Sequence, residues 1–405
     1  MRRRRSTRQL LVWAGLILAL LVLGFQVSRL LVNPATLSPA DFAMYWAAGR
    51  LNALGENPYD PEKLLPLERE AGREVSDAFI MFSPPPALTF VMPFGLLNHA
   101  ASRVLWLLCH FILVLLAADT LWGLYGGPAR YRWLSWVLGI GFGPTLIMLR
   151  MGQIGDLVLL GIVGFLYFAG RSQWALAGAM AALTALKPQI VYLFAVALLF
   201  WSLDRRRWRI LLGGLLAGVA ATVIALACNP LVIQQYREAL ARHPPAEWIT
   251  PTLGTVLRLA LGAQRSRLQY VPPLFGLLWL LFYALQRRRT WSWPEQTPVL
   301  LLVSFLTTFY GAWSHDYVVM LVPVIQIAAA ETRLLQETGF ACSRRLVLSS
   351  LALYLALGAF TLSVANEVWY VVLPPALLVS FLALRKQVEK QTSLVIRQRR
   401  MTKDE

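Results

Sequence analysis

Long apolar runs, each close to the length that crosses a bilayer, recur from Leu10 to Leu384 and are separated by clusters of arginine. A membrane span needs roughly 20 mostly apolar residues. A chain with this pattern cannot bury so much apolar surface in one soluble core. It must give most of that surface to lipid, as a polytopic α-helical membrane protein. The composition agrees: 57% of residues are hydrophobic and 15% are charged, where soluble domains carry about 25% charged residues.

The formal charge of +17 could suggest nucleic acid, but its distribution excludes that class. The basic clusters "MRRRRSTR", "GGPARYR", "DRRRWR", "QRRRTW" and the tail "RKQVEK…RQRRMTKDE" lie between or after apolar runs. That is the mark of cytoplasmic loops under the positive-inside rule. With the N-terminus placed inside, about twelve spans result, and both termini are cytoplasmic. The inner side then holds 25 of the 38 Lys and Arg and 8 of the 21 acids. The outer side holds 13 of each, so the whole excess lies inside.

The spacing predicts one transmembrane domain over residues 1–405, with an uncleaved first span from Leu10 to Leu31. Two long extracytoplasmic loops follow, 32–102 and 229–268, and residues 385–405 form a basic cytoplasmic tail. The first loop is expected to carry amphipathic juxtamembrane helices: in "SPADFAMYWAAGRLNALGENPYDPEKL", Phe42, Tyr45 and Trp46 recur at helical spacing. Residues 84–97, "PPPALTFVMPFGLL", are apolar but short and rich in proline. They suit an interfacial or re-entrant segment better than a span. Cys109, Cys228 and Cys342 fall in or beside spans and lack metal-site spacing. No internal repeat, glycine-rich phosphate loop, CxxC or HExxH occurs.

The outer ends of the spans collect polar groups, most of them ionisable, and ionisable groups at such depth are costly and mark function by default. They are Asp41; Arg150, Gln153 and Asp156 of "LRMGQIGD"; Lys187 of "ALKPQ"; His315 and Asp316 of "YGAWSHDY"; and Glu367 of "NEVW". Each also has a plain structural reading. Asp41 can cap a helix, Lys187 and Arg150 can reach lipid headgroups, Gln153 can tie helices together, and "NPYDP" around Tyr59 reads first as a turn. Taken together they offer one base, several cations and aromatic faces such as Tyr45, Tyr59 and Trp313. That set suits transfer of a sugar from a lipid phosphate. A carboxylate takes the proton of an attacking hydroxyl, and cations steady the departing phosphate.

The ordered segments "DFAMYWAAGRLNALGENPYD", "SPPPALTFVMPFGLL", "GQIGDLVLL", "GAMAALTALKPQIVYLFAVALLFW…RRRWR" and "SHDYVVMLVPV" resemble glycosyltransferase family 87. These are the bacterial polyprenol-phosphate-mannose-dependent α-mannosyltransferases of the GT-C class. The resemblance runs from about Leu10 to Ala330. It implies a GT-C membrane fold in the bacterial inner membrane, with the active site extracytoplasmic and the transfer inverting. It implies Asp41 as general base. Lys187, His315 and Arg150 are then expected at the donor phosphate, and Tyr45, Tyr59, Gln153 and Asp316 about the substrates. The implied partners are a polyprenyl-phosphate-linked sugar, mannose by default, a glycolipid or polysaccharide acceptor, and membrane lipids. No nucleic acid, cofactor or metal is implied. The alternative is a transporter or flippase of lipid-linked sugars, which should show repeats and charges near the bilayer midplane.

Overall fold

The computed structural model describes residues 40–74, 76–244, 248–364 and 366–401. The expected first span, Leu10 to Leu31, lies outside the described residues. The described chain is helical, and six of its helices are long and apolar enough to cross a membrane.

The described residues of the expected first loop form three short α-helices before Asn98, α1 (Ala40–Ala53), α2 (Pro61–Glu70) and α3 (Leu88–Gly95). Of these α2 is amphipathic, burying Leu64 and Glu68, half-burying Leu65 and Leu67 and exposing its other residues. Its start is set by Asp60, whose side chain accepts from the Glu62 amide at 3.0 Å, and by Pro61 at the first helical position. The amphipathic expectation fails for α1, which is buried on all sides from Asp41 to Gly49. The physical reason is close backbone contact. A Cβ at Gly49 would lie 2.6 Å from the Val91 carbonyl oxygen, and one at Gly95 would lie 2.2 Å from the Arg50 nitrogen. Glycines on both helices therefore let α1 and α3 cross at backbone distance. The Asn52 amide then ties α1 to the Ala225 carbonyl at 3.2 Å. The eight residues of α3 make about 12 Å of helix, against ~30 Å of hydrocarbon.

The first of the six long helices is α4 (His99–Leu124), capped by the Asn98 side chain, which accepts from the Ala101 amide at 2.9 Å. The apolar run from Trp133 to Leu149 is broken rather than one continuous helix. Helices α5 (Trp133–Ile140) and α6 (Gly143–Met151) belong to one pair bent by 53°. Gly141 ends the first, and Pro144 in the first turn of the second supplies no amide to continue it. Three shorter helices follow, α7 (Gly155–Gly170), α8 (Trp174–Ala181) and α9 (Tyr192–Asp204).

Helix α10 (Trp208–Cys228) is long again. It crosses α8 through reciprocal glycines. A Cβ at Gly178 would lie 1.9 Å from the Ile210 carbonyl oxygen, and one at Gly213 would lie 2.0 Å from that of Ala175. Small residues at such crossings replace the hydrophobic drive that lipid removes. Gly213→Val should push the helices apart, and overpacking of this kind costs about 1–3 kcal/mol. The expected readout is a lower melting temperature in detergent, with an unchanged melt counting against a tight crossing.

The second long loop folds as α11 (Val232–Arg242) and α12 (Leu253–Leu261). The chain continues through α13 (Val271–Arg287), α14 (Trp293–Thr307), a 3-10 turn over Ser314–Met320 that leads into α15 (Leu321–Thr338), α16 (Phe340–Ser363) and α17 (Leu373–Met401). The expected tail from 385 is thus a continuation of α17 as far as Met401. The core lies among α7, α14 and α15. The outer helices expose large apolar side chains such as Leu108, Phe200, Leu215 and Phe282, as lipid-facing helices do. The chain is a multi-pass membrane protein.

Candidate active site

Five separate segments meet at one end of the helices. Helix α1 brings Asp41 and Tyr45; the link between α6 and α7 brings Gln153. The break between α8 and α9 brings Lys187, the turn before α15 brings His315 and Asp316, and the turn before α17 brings Glu367. All seven line a cavity of about 1000 Å³.

Each segment is held by a local device. Gln153 follows Gly152, whose φ of 71° closes α6 in the left-handed conformation that glycine adopts freely. The same glycine admits the Phe42 Cβ, which would lie 2.5 Å from a side-chain carbon there. The Trp106 indole donates to the Gly152 carbonyl at 3.1 Å and stacks on Tyr45 at 5.8 Å, so one ring braces both Gln153 and α1. Lys187 lies outside the helical region, at φ −139° and ψ 67°, and the following Pro188 disfavours the helical region there. The turn at Ser314 starts with the Trp313 amide donating to Asp316 Oδ2 at 3.1 Å. Ala312 before it has φ 57°, an uncommon value for a residue with a Cβ, and is fully buried.

Five of the side chains, Asp41, Tyr45, Gln153, Lys187 and Asp316, form one connected chain of hydrogen bonds. Gln153 Nε2 donates to Asp41 Oδ2 at 2.6 Å. Gln153 Oε1 accepts from Tyr45 Oη at 2.9 Å and from Lys187 Nζ at 2.8 Å. Lys187 Nζ also donates to Asp316 Oδ1 at 2.7 Å. These partners orient the amide, since its oxygen meets two donors and its nitrogen meets a carboxylate. An ammonium has three donors, so two of those on Lys187 are used here and one remains. His315 Nε2 is 3.5 Å from Asp316 Oδ1. Glu367 Oε1 accepts from Ser314 Oγ at 3.2 Å.

Burial pushes the Asp41 carboxyl above its ordinary value of 3.8, against the pull of the Gln153 hydrogen bond and the Lys187 charge. Burial also raises Tyr45 well above its ordinary value, so its hydroxyl stays a donor. The arrangement gives a carboxylate able to take a proton nearer neutral pH than a free aspartate would. A bridging amide fixes that carboxylate relative to a cation.

The outcome for the expected site residues is mixed. Asp41, Tyr45, Gln153, Lys187, His315 and Asp316 come together. Lys187 is 8% exposed with two partners, a geometry unlike that of a lysine reaching for headgroups. Arg150 is exposed on α6 and does not line the cavity. Tyr59 is buried against Tyr236, with ring centroids 5.4 Å apart, and lies outside the lining. Its backbone amide donates to the Asn57 side chain at 3.0 Å, as the turn reading requires. Asp156 pairs with His110 at 2.7 Å behind the site instead of facing the cavity. His110 had no signal in the sequence beyond being a polar residue inside an apolar run.

Away from its polar end the cavity is apolar. It runs along α8, α9 and α10 past Gly178, Ala182, Leu199, Gly214 and Gly218. On the loop side Phe82, Trp248 and Tyr310 form an aromatic wall, with centroid separations of 4.8 and 5.6 Å. No curated protein and no solved structure compared with the chain matches it. A family model does: residues 82–322, more than half of the chain, match glycosyltransferase family 87, and the chain belongs to that family of membrane glycosyltransferases.

Proposed function

We propose that this protein moves a sugar, mannose by default, from a polyprenyl-phosphate donor to a hydroxyl of a glycolipid or polysaccharide acceptor. Transfer takes place at the extracytoplasmic face of the bacterial inner membrane. The single observation that carries this reading is the two-ended cavity. Its polar end joins Asp41 to Lys187 through Gln153, and its apolar end runs between membrane helices. A polyprenyl chain with a charged sugar-phosphate head has the same two ends.

In this reading Asp41 takes the proton of the acceptor hydroxyl. The acceptor oxygen attacks the anomeric carbon from the face opposite the phosphate, and the bond from that carbon to the phosphate oxygen breaks. The configuration inverts. The departing polyprenyl phosphate gains one negative charge, and the remaining donor of Lys187, with His315 beside it, is placed to meet that charge. Tyr45 and Gln153 hold the base and the cation in register, and Asp316 holds Lys187. The orientation follows from charge: the arginine-rich ends face the cytoplasm, so the polar end of the cavity faces out, and the GT-C arrangement of about twelve spans is completed by the shorter helices.

The test is to incubate purified protein with synthetic polyprenyl-phosphate sugars and a membrane lipid extract. Mass spectrometry should find an acceptor heavier by one hexose; unchanged lipids with every donor would overturn the reading. The pH profile gives a second check. Transfer needs Asp41 ionised, so the rate should fall on the acid side through a value above the ordinary 3.8 of an aspartate. That limb should disappear from the residual activity of Asp41→Asn.

A further inference from the structure

A second groove opens toward lipid between α9 and α13, away from the candidate active site. At one end the two helices are locked together. A Cβ at Gly276 would lie 2.0 Å from Tyr192 Oη, and Tyr192 Oη is 2.6 Å from Thr307 Oγ1 and donates to the Pro273 carbonyl at 3.4 Å. At the other end long side chains bridge the gap. The Arg288 guanidinium pairs with Asp204, and Arg205 Nη2 donates to the Arg288 carbonyl at 2.7 Å. Between these ends lies a wedge of about 760 Å³.

Its walls are apolar, with Phe200, Leu278, Leu281 and Leu285 exposed along them. The ionisable groups among the lining residues are Asp204 and Arg288, both at the wide end. Trp201 and Trp291 line the same end, where indoles suit the depth of lipid headgroups. From Leu274 to Arg287 the wall runs about 20 Å at 1.5 Å per residue, more than half of ~30 Å of hydrocarbon. That is the reach of a chain rooted at one interface.

The wide end is strongly cationic. Arg288 lines it, and Arg205, Arg206, Arg207 and Arg209, next after α9, and Arg287 and Arg289 beside Arg288 are exposed, with Asp204 the one acid in those two turns. One carboxylate cannot balance them, whereas a phosphate group accepts several arginine hydrogen bonds at once. We infer that this wedge holds an acyl chain of an anionic phospholipid, with the lipid phosphate among the arginines at the C-terminal ends of α9 and α13.

The experiment is native mass spectrometry of the full-length protein in neutral detergent, titrated with phosphatidylglycerol or phosphatidylcholine. One phosphatidylglycerol should be retained at least about tenfold more tightly than phosphatidylcholine. Arg287→Gln with Arg289→Gln should weaken retention about 30-fold, from about fivefold per arginine near a membrane surface (~1 kcal/mol each). Ala284→Phe, which fills the groove and leaves every arginine in place, should abolish it. Equal retention of the two lipids would overturn the proposal. So would phosphatidylglycerol retention that survives Ala284→Phe, because the headgroup alone would then account for binding. If Ala284→Phe does not fold, the arginine variant, whose changes are both at exposed positions, still decides: unchanged retention there rejects the site.

Discussion

Asp41→Asn is expected to cut the rate of sugar transfer by about 10²–10⁴-fold, the range for losing acid–base assistance, while leaving the protein folded. Asn keeps the shape of the side chain, and its oxygen can still accept the hydrogen bond that Gln153 Nε2 gives to Asp41. The sign of the stability change follows from burial. A carboxyl whose value is raised on folding contributes stability that is fully present below its ordinary value and is lost as pH rises through the raised one. At neutral pH the ionised Asp41 is therefore a stability cost, and Asp41→Asn should melt no lower than the parent. A purely structural Asp41 gives a different pair of results: near-normal transfer in Asp41→Asn and a lowered melting temperature in Asp41→Ala. Measuring both variants by both methods separates base from cap.

Lys187→Ala should damage both stability and donor use, and the two losses can be pulled apart. Asp316 is 1% exposed, and without the ammonium its carboxylate keeps only the Trp313 amide and the neighbouring His315. Leaving one partner of a buried pair uncompensated costs about 3–5 kcal/mol, so the melting temperature should drop sharply. Adding Asp316→Asn removes the stranded charge and should recover most of that loss. Donor use should not recover. A hydrogen bond to a charged group contributes about 1.5–3 kcal/mol, so kcat/KM for the polyprenyl-phosphate sugar should stay roughly 10–100-fold down in the double variant. Recovery of transfer along with stability would reduce Lys187 to a structural counter-ion of Asp316.

The membrane class, the apolar runs of the long helices and the polar segments that meet at the candidate site were all legible in the sequence, because each rests on local chemistry. An apolar run of 20 residues has few fates, and arginines flanking it report their own side. Helices α4, α10, α13, α15, α16 and α17 accordingly lie on apolar runs of the sequence. Residues such as Asp41, Lys187 and His315 stood out because ionisable groups are rare in such surroundings.

What the sequence could not hold is any relation between segments far apart in the chain. Nothing near Asp41 says that Gln153, 112 residues away, will donate to it, or that Lys187 will bridge Gln153 and Asp316. Nor does anything near Arg150 or Tyr59 say that they will be left out of the cavity. The misreading of α1 has the same origin. Its aromatic spacing looks like one apolar face, but Gly49 and Gly95 let a second backbone approach, and tertiary contacts then buried the polar side as well. Periodicity reports the face a helix would show to water. Packing decides whether any water is there.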